Sequence, residues 1–226
     1  MSVFQRVEVA CPSCKSPVPF DLVHSVNASR RPDLRVAILD RSFQRKTCTA
    51  CGFAFRMEPQ FTYLDTWRKQ FFAVWPASKL GECEALEARA VTSFAAAFGP
   101  DSDMPELGDG MLARIVFGWA ALNEKLIAAE AGIDDRTLEV AKIPLMQSLG
   151  DVQLGTDREF RLLGVDNETL VVGWLSTRSE DLDEELSAPR ELLAEIEAQP
   201  SDWAALRADV VGEMFVDYRR GLLVGA

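Results

Sequence analysis

Three patterns in the 226-residue sequence predict an α+β fold, with a β module and one short helix at the N-terminus and then a mainly helical region that carries a β-hairpin. Two cysteine pairs, Cys11-Pro12-Ser13-Cys14 and Cys48-Thr49-Ala50-Cys51, each lie between short alternating segments, as the turns of hairpins do. Beyond residue 80 apolar residues recur at helical spacing. Further on, Glu159 to Val165 and Thr169 to Leu175 flank Asp166-Asn167-Glu168, a hairpin-turn composition.

In chain order, Gln5 to Ala10 alternates and predicts a strand entering the first cysteine pair, with Val18 to Val23 as its partner. Pro32 opens a helix that runs to Leu39, since proline has no N–H to waste at a helix start, and Leu34, Ala37 and Ile38 share a face. Phe43 to Thr47 leads into the second pair, Gly52 permits a tight turn, and Phe53 to Met57 leads away. Trp67 to Trp75 reads as a strand with a buried face, closed by Pro76. An amphipathic helix follows from Gly81 to Phe98, stopped by Gly99-Pro100, and residues 100–110 read as a loop.

Met111, Leu112, Ile115, Val116, Trp119, Leu122, Leu126 and Ile127 fit one helical stripe, which predicts a single helix that Gly132 ends. Asp134-Asp135 opens the next helix, favoured by its positive N-terminal dipole, and Pro144 is expected to bend or stop it. The pattern changes after Gly150 to that of the hairpin. An acidic loop from Ser179 to Glu185, helices over Pro189 to Ala198 and Ser201 to Val211, and a short strand from Met214 to Tyr218 complete the reading. The expected division is a module over residues 1–76 and an acidic, mainly helical region over residues 77–226.

Apolar residues make up 48% of the chain, enough for a core, and no apolar run is long enough to cross a membrane. With no secretory leader in view, the expected location is the cytoplasm, where thiols stay reduced and paired cysteines favour metal over disulfide. The net charge of −11 conceals a split. Residues 1–80 hold 12 Lys+Arg against 6 Asp+Glu, whereas residues 81–226 hold 12 against 29. The basic set Arg30, Arg31, Arg35, Arg41, Arg45 and Lys46 reads either as a phosphate footprint or as a solvated face, and the acidic remainder favours the second.

Two Cys-x-x-Cys turns can each wrap one edge of a tetrahedral ion, and the connecting segment is long enough to bring the edges together. The reading is one structural Zn2+ held by Cys11, Cys14, Cys48 and Cys51 in a zinc-ribbon-like module. Four sulfurs leave no open position for water or substrate. Cys83, in a helical segment, reads as a small apolar residue.

The residues then resemble a known family. Cys11-Pro12-Ser13-Cys14, Ser25-Val26-Asn27-Ala28, Pro32-Asp33-Leu34, Ile38-Leu39, Phe43, Cys48-Thr49-Ala50-Cys51-Gly52 and Tyr63-Leu64-Asp65 are similar to the CpXC proteins, a bacterial group named for a Cys-Pro-x-Cys pair. The likeness covers roughly residues 5 to 76. It implies a zinc-binding domain with no established activity, and carries a ligand role to the same four cysteines. Thr49 replaces the proline common in the second pair, and Leu64 stands where the family often has histidine.

Enzyme templates lack their parts. No glycine loop for phosphate and no His-Glu-x-x-His helix occurs, and His24, the one histidine, reads as a surface or satisfied core residue. The acidic run Glu180, Asp181, Asp183, Glu184 and Glu185 lacks the spacing of a calcium loop. The reading therefore leans away from an enzyme, towards a non-enzymatic adaptor or protein-interaction module whose partners are other proteins or a second copy of itself. A nucleic-acid-associated zinc ribbon using the basic half ranks behind it, as does a thiol redox switch.

Overall fold

The computed structural model describes residues 1–149 and 157–223 and is mixed α+β, as the sequence predicts. It divides into two units. The first comprises residues 1–80 and 89–119, and the second residues 81–88 and 120–226.

In the first unit, β1 (Val3–Ala10) and β2 (Pro17–Asn27) form the predicted antiparallel hairpin around the first cysteine pair. Helix α1 (Pro32–Leu39) has the predicted bounds and buries Leu34 and Ile38. Its Arg35 is buried too, and Nη1 donates to the Tyr63 hydroxyl at 3.1 Å and to Gln70 Oε1 at 3.3 Å. Strands β3 (Arg45–Thr47) and β4 (Ala54–Arg56) form the second hairpin around the other pair.

Two further strands, β5 (Phe61–Asp65) and β6 (Gln70–Trp75), are joined by a turn. Asp65, fully buried, accepts from the backbone N–H of Trp67 and Arg68 and from the Ser29 hydroxyl, each at 3.1 Å. This cap corrects the expected strand from Trp67, because residues 66–69 make the turn and the ladder starts at Gln70. It also gives Asp65 a polar role that does not involve Leu64.

The helix expected over Met111 to Ile127 is two elements, β7 (Leu112–Phe117) and α4 (Trp119–Glu130). Gly118 joins them at φ +86° and donates its N–H to the Trp75 carbonyl at 2.8 Å. Strand β7 pairs parallel with β6, which gives one sheet of order β1-β2-β5-β6-β7. Its residues Ile115 to Phe117 are all buried, so they lack the alternation that marks a half-exposed strand. Helix α2 (Cys83–Phe98) matches its prediction, with Phe94 and Phe98 packed on Phe71. The expected loop over 100–110 contains a single-turn helix, α3 (Pro105–Gly108).

In the second unit α5 (Asp135–Ser148) runs through Pro144 rather than stopping there. Asp134 caps it, accepting from Arg136 N–H at 2.9 Å. Gly150 lies outside the described residues. Strands β8 (Arg158–Val165) and β9 (Thr169–Ser176) form the predicted hairpin. The expected acidic loop is largely a third strand, β10 (Leu182–Pro189), which completes a sheet of order β10-β9-β8. This region therefore holds a full sheet besides its helices.

Helices α6 (Glu191–Ala198), α7 (Ala204–Val210) and α8 (Arg220–Leu223) follow, and the expected strand at Met214 to Tyr218 is reduced to one bridge, Val211 to Val216. Leu138, Phe160, Val172, Trp174 and Ile196 lie in this unit's apolar core.

Candidate metal centre

The two cysteine loops have the same construction. Each spans six residues, Cys11 to Ser16 between the paired ends Ala10 and Pro17, and Cys48 to Phe53 between Thr47 and Ala54. In each, the first cysteine's N–H donates to the carbonyl five residues on, Cys11 to Ser16 and Cys48 to Phe53, both at 2.9 Å. In each, that cysteine's carbonyl accepts from the N–H four residues on, Lys15 and Gly52, again at 2.9 Å. Those fourth residues adopt left-handed backbone, Lys15 at φ 64° and Gly52 at φ 74°. Thr49 in place of proline leaves this pattern unchanged.

Side chains from the approach to β3 hold the second loop against the first hairpin. Gln44 Nε2 donates to the Asp21 carbonyl at 3.0 Å, and Val23 N–H donates to Gln44 Oε1 at 3.3 Å. Lys46 Nζ donates to the Pro19 carbonyl and lies over the Phe20 ring. These contacts tie the short β3–β4 hairpin to the edge of β2.

Together they bring all four sulfurs within 4.8 Å of one another, and the five cysteines are free thiols. The short separations cross between the hairpins, with Cys11 Sγ to Cys51 Sγ and Cys14 Sγ to Cys48 Sγ both at 3.7 Å. A tetrahedral ion with metal–sulfur bonds of about 2.3 Å needs sulfurs about 3.8 Å apart, so this set fits such an ion. Cys11 and Cys48 are buried, Cys14 and Cys51 exposed. Around the sulfurs lies a small apolar cluster of Val18, Phe20 and Phe55, with Val7, Val9, Leu22 and Met57 partly buried against it.

The thiols differ before any ion is considered. Backbone N–H groups of Cys14 and Ser13 lower the Cys11 thiol, and the Ser16 hydroxyl and N–H bring Cys14 down to about 6. Cys51 receives a lowering hydrogen bond from Phe53, but Cys14, burial and the other two sulfurs push it up to about 11. Four neighbouring sulfurs resist common ionisation because each thiolate raises the next. A dication removes that conflict, so binding is expected to release protons.

The other residues weighed in the sequence join no metal-holding cluster among the described residues. His24 lies exposed within β2, with Nε2 2.9 Å from Gln5 Oε1. Cys83 is buried at the start of α2, where burial raises its thiol. In the acidic run, Asp183 pairs with Arg158 at 3.2 Å. Of the basic set, Arg35 is buried, and Phe43, Phe71 and Phe72 are buried as well.

A second polar cluster was not foreseen. In the second unit Lys142 Nζ meets Glu124 at 2.6 Å and Glu139 at 2.9 Å, and Lys125 Nζ meets Glu139 at 2.8 Å and Asp135 at 3.1 Å. Arg161 reaches Glu124 and Asp217 at 2.9 Å and Glu159 at 2.8 Å. Glu124 also accepts from Leu162 N–H, and Glu139 from Tyr218 N–H. These residues are scattered from 124 to 217, and only the fold collects them. Their charges are spent on one another, as in a structural network.

Among the described residues no helix is long and apolar enough to cross a membrane. Comparison with curated proteins and with solved structures gives no match. The family model described as CpXC protein matches residues 9–142, which extends the likeness well beyond the cysteine hairpins and into α5. The chain belongs to the CpXC protein family.

Proposed function

We propose that Cys11, Cys14, Cys48 and Cys51 bind one structural Zn2+, and that residues 1–76 form a zinc-ribbon-like protein-interaction module in a non-enzymatic protein of the cytoplasm. The observation that carries this reading is the convergence of four sulfurs on two equivalent hairpin loops. A four-thiolate shell suits zinc or iron, and zinc is the ion used for a static closed site. With every coordination position taken by protein, the ion contributes folding free energy to a region with a small apolar cluster, and activates no water.

The burial of Arg35, Phe43, Phe71 and Phe72 removes them as contacts for nucleic acid and leaves Trp67, 76% exposed, as the ring of that stretch open to stacking, which ranks the nucleic-acid reading second. The test is elemental analysis of the freshly purified chain, with and without a strong chelator, alongside its sedimentation. One zinc per chain, with loss of N-terminal structure on chelation, is the expected result. Stoichiometric iron would reject zinc, and a monomer that captures no protein from native lysate would reject the interaction role.

A further inference from the structure

Strand β1 ends the five-stranded sheet, and six of its eight residues are exposed. The direction of its backbone groups follows from its partner. On β2, the Pro19 and Asp21 carbonyls and the Val23 N–H are taken by Lys46 and Gln44 side chains, so these groups point away from β1. Their opposite numbers on β1 are Glu8, Arg6 and Phe4. Residues facing each other in an antiparallel pair either both point inward or both point outward. The N–H and C=O groups of Phe4, Arg6 and Glu8 therefore face outward, along the free edge. The Cys11 to Ser16 hydrogen bond at the strand's end has the complementary phase.

Charged residues ordinarily protect such an edge against pairing. Here their order does the opposite. We propose that β1 is a self-pairing edge, which binds β1 of a second copy antiparallel about a two-fold axis at Val7. In that register Arg6 lies opposite the partner's Glu8, and Glu8 opposite the partner's Arg6. Both residues already aim their backbone groups outward, so each of these pairs exchanges two hydrogen bonds. Val7 meets its own copy on the other face.

A shift of one step either way places Arg6 opposite Arg6 or Glu8 opposite Glu8, so charge selects this register. Among the described residues neither side chain has an ion-pair partner, with Asp21 opposite Arg6 on β2 as the nearest charge in register. The proposal deepens the interaction reading by naming one partner. Its failure shows in molecular mass, whereas failure of the metal reading shows in zinc content.

Sedimentation of the full-length, metal-loaded chain over a concentration series tests it, with Arg6→Glu and Glu8→Arg made singly and together. Each single change sets like charges opposite one another twice and is expected to raise the dimer dissociation constant roughly tenfold or more. The double change restores dimerisation. Mixing the two single variants yields a heterodimer, since an all-acidic edge then faces an all-basic one. A wild-type chain that stays monomeric into the millimolar range, or a dimer indifferent to the single changes, overturns the proposal.

Discussion

The four cysteines do not carry equal weight. Cys11 and Cys48 lie at the buried roots of their loops, where each also fixes two backbone hydrogen bonds, whereas Cys14 and Cys51 are exposed. Cys48→Ser is expected to abolish metal binding and to lower the stability of the first unit by several kcal/mol, because metal binding there is folding free energy. Cys14→Ser should weaken metal retention with a smaller loss of structure, and competition with a chromophoric chelator would rank the two. Gln44→Ala leaves Val23 N–H and the Asp21 carbonyl without their partner and should cost about 1–3 kcal/mol, read as a lowered melting temperature. The pairing of the cysteines on two turns was readable in the sequence because Cys-x-x-Cys spacing is local. Gln44 was not, since its partners lie about twenty residues upstream and nothing in Phe43-Gln44-Arg45 announces them.

Among the secondary-structure elements, segments with one wet face or a proline start were readable, as α1 and the three predicted hairpins show. Elements buried on both sides were not. The run Ile115 to Leu122 is apolar throughout, and only Gly118, in a backbone conformation that side chains avoid, marks where strand becomes helix. Strand β10 hid behind its charges, because three of its first five residues, Asp183, Glu184 and Glu185, are acidic and its first four are exposed.

Close approach of β10 to β9 gives one prediction. A Cβ at Gly173 would lie 2.5 Å from the Glu184 carbonyl oxygen and 2.8 Å from Leu182 Cδ1, so Gly173→Ala should destabilise the second unit by about 1–3 kcal/mol in thermal unfolding. The buried network gives another. Burial alone would push the Glu124 carboxyl up, but Lys142, Arg161 and Lys125 outweigh it and hold it at about 2. Because the folded value is depressed, its contribution to stability is present above the ordinary value of 4.5 and is lost as pH falls from there towards 2. Glu124→Ala, which leaves Lys142 and Arg161 uncompensated, should cost about 3–5 kcal/mol at neutral pH, and the variant's acid unfolding should lose that part of its slope.

The molecule as a whole comprises two units of different construction, a four-cysteine cluster beside a small apolar cluster in one and a buried ion network with a larger core in the other. Calorimetry should therefore separate their responses. A chelator at neutral pH is expected to lower the transition of the first unit, and acid below pH 4.5 that of the second. The α+β class and the cysteine hairpins could be read from residue patterns, but the collection of distant charges into one network is a property of the assembled chain. The most direct test is native mass spectrometry of the untagged chain beside its Cys48→Ser variant. One zinc ion per wild-type chain and none in the variant is the predicted result, and a wild-type chain that carries no stoichiometric metal would contradict the account.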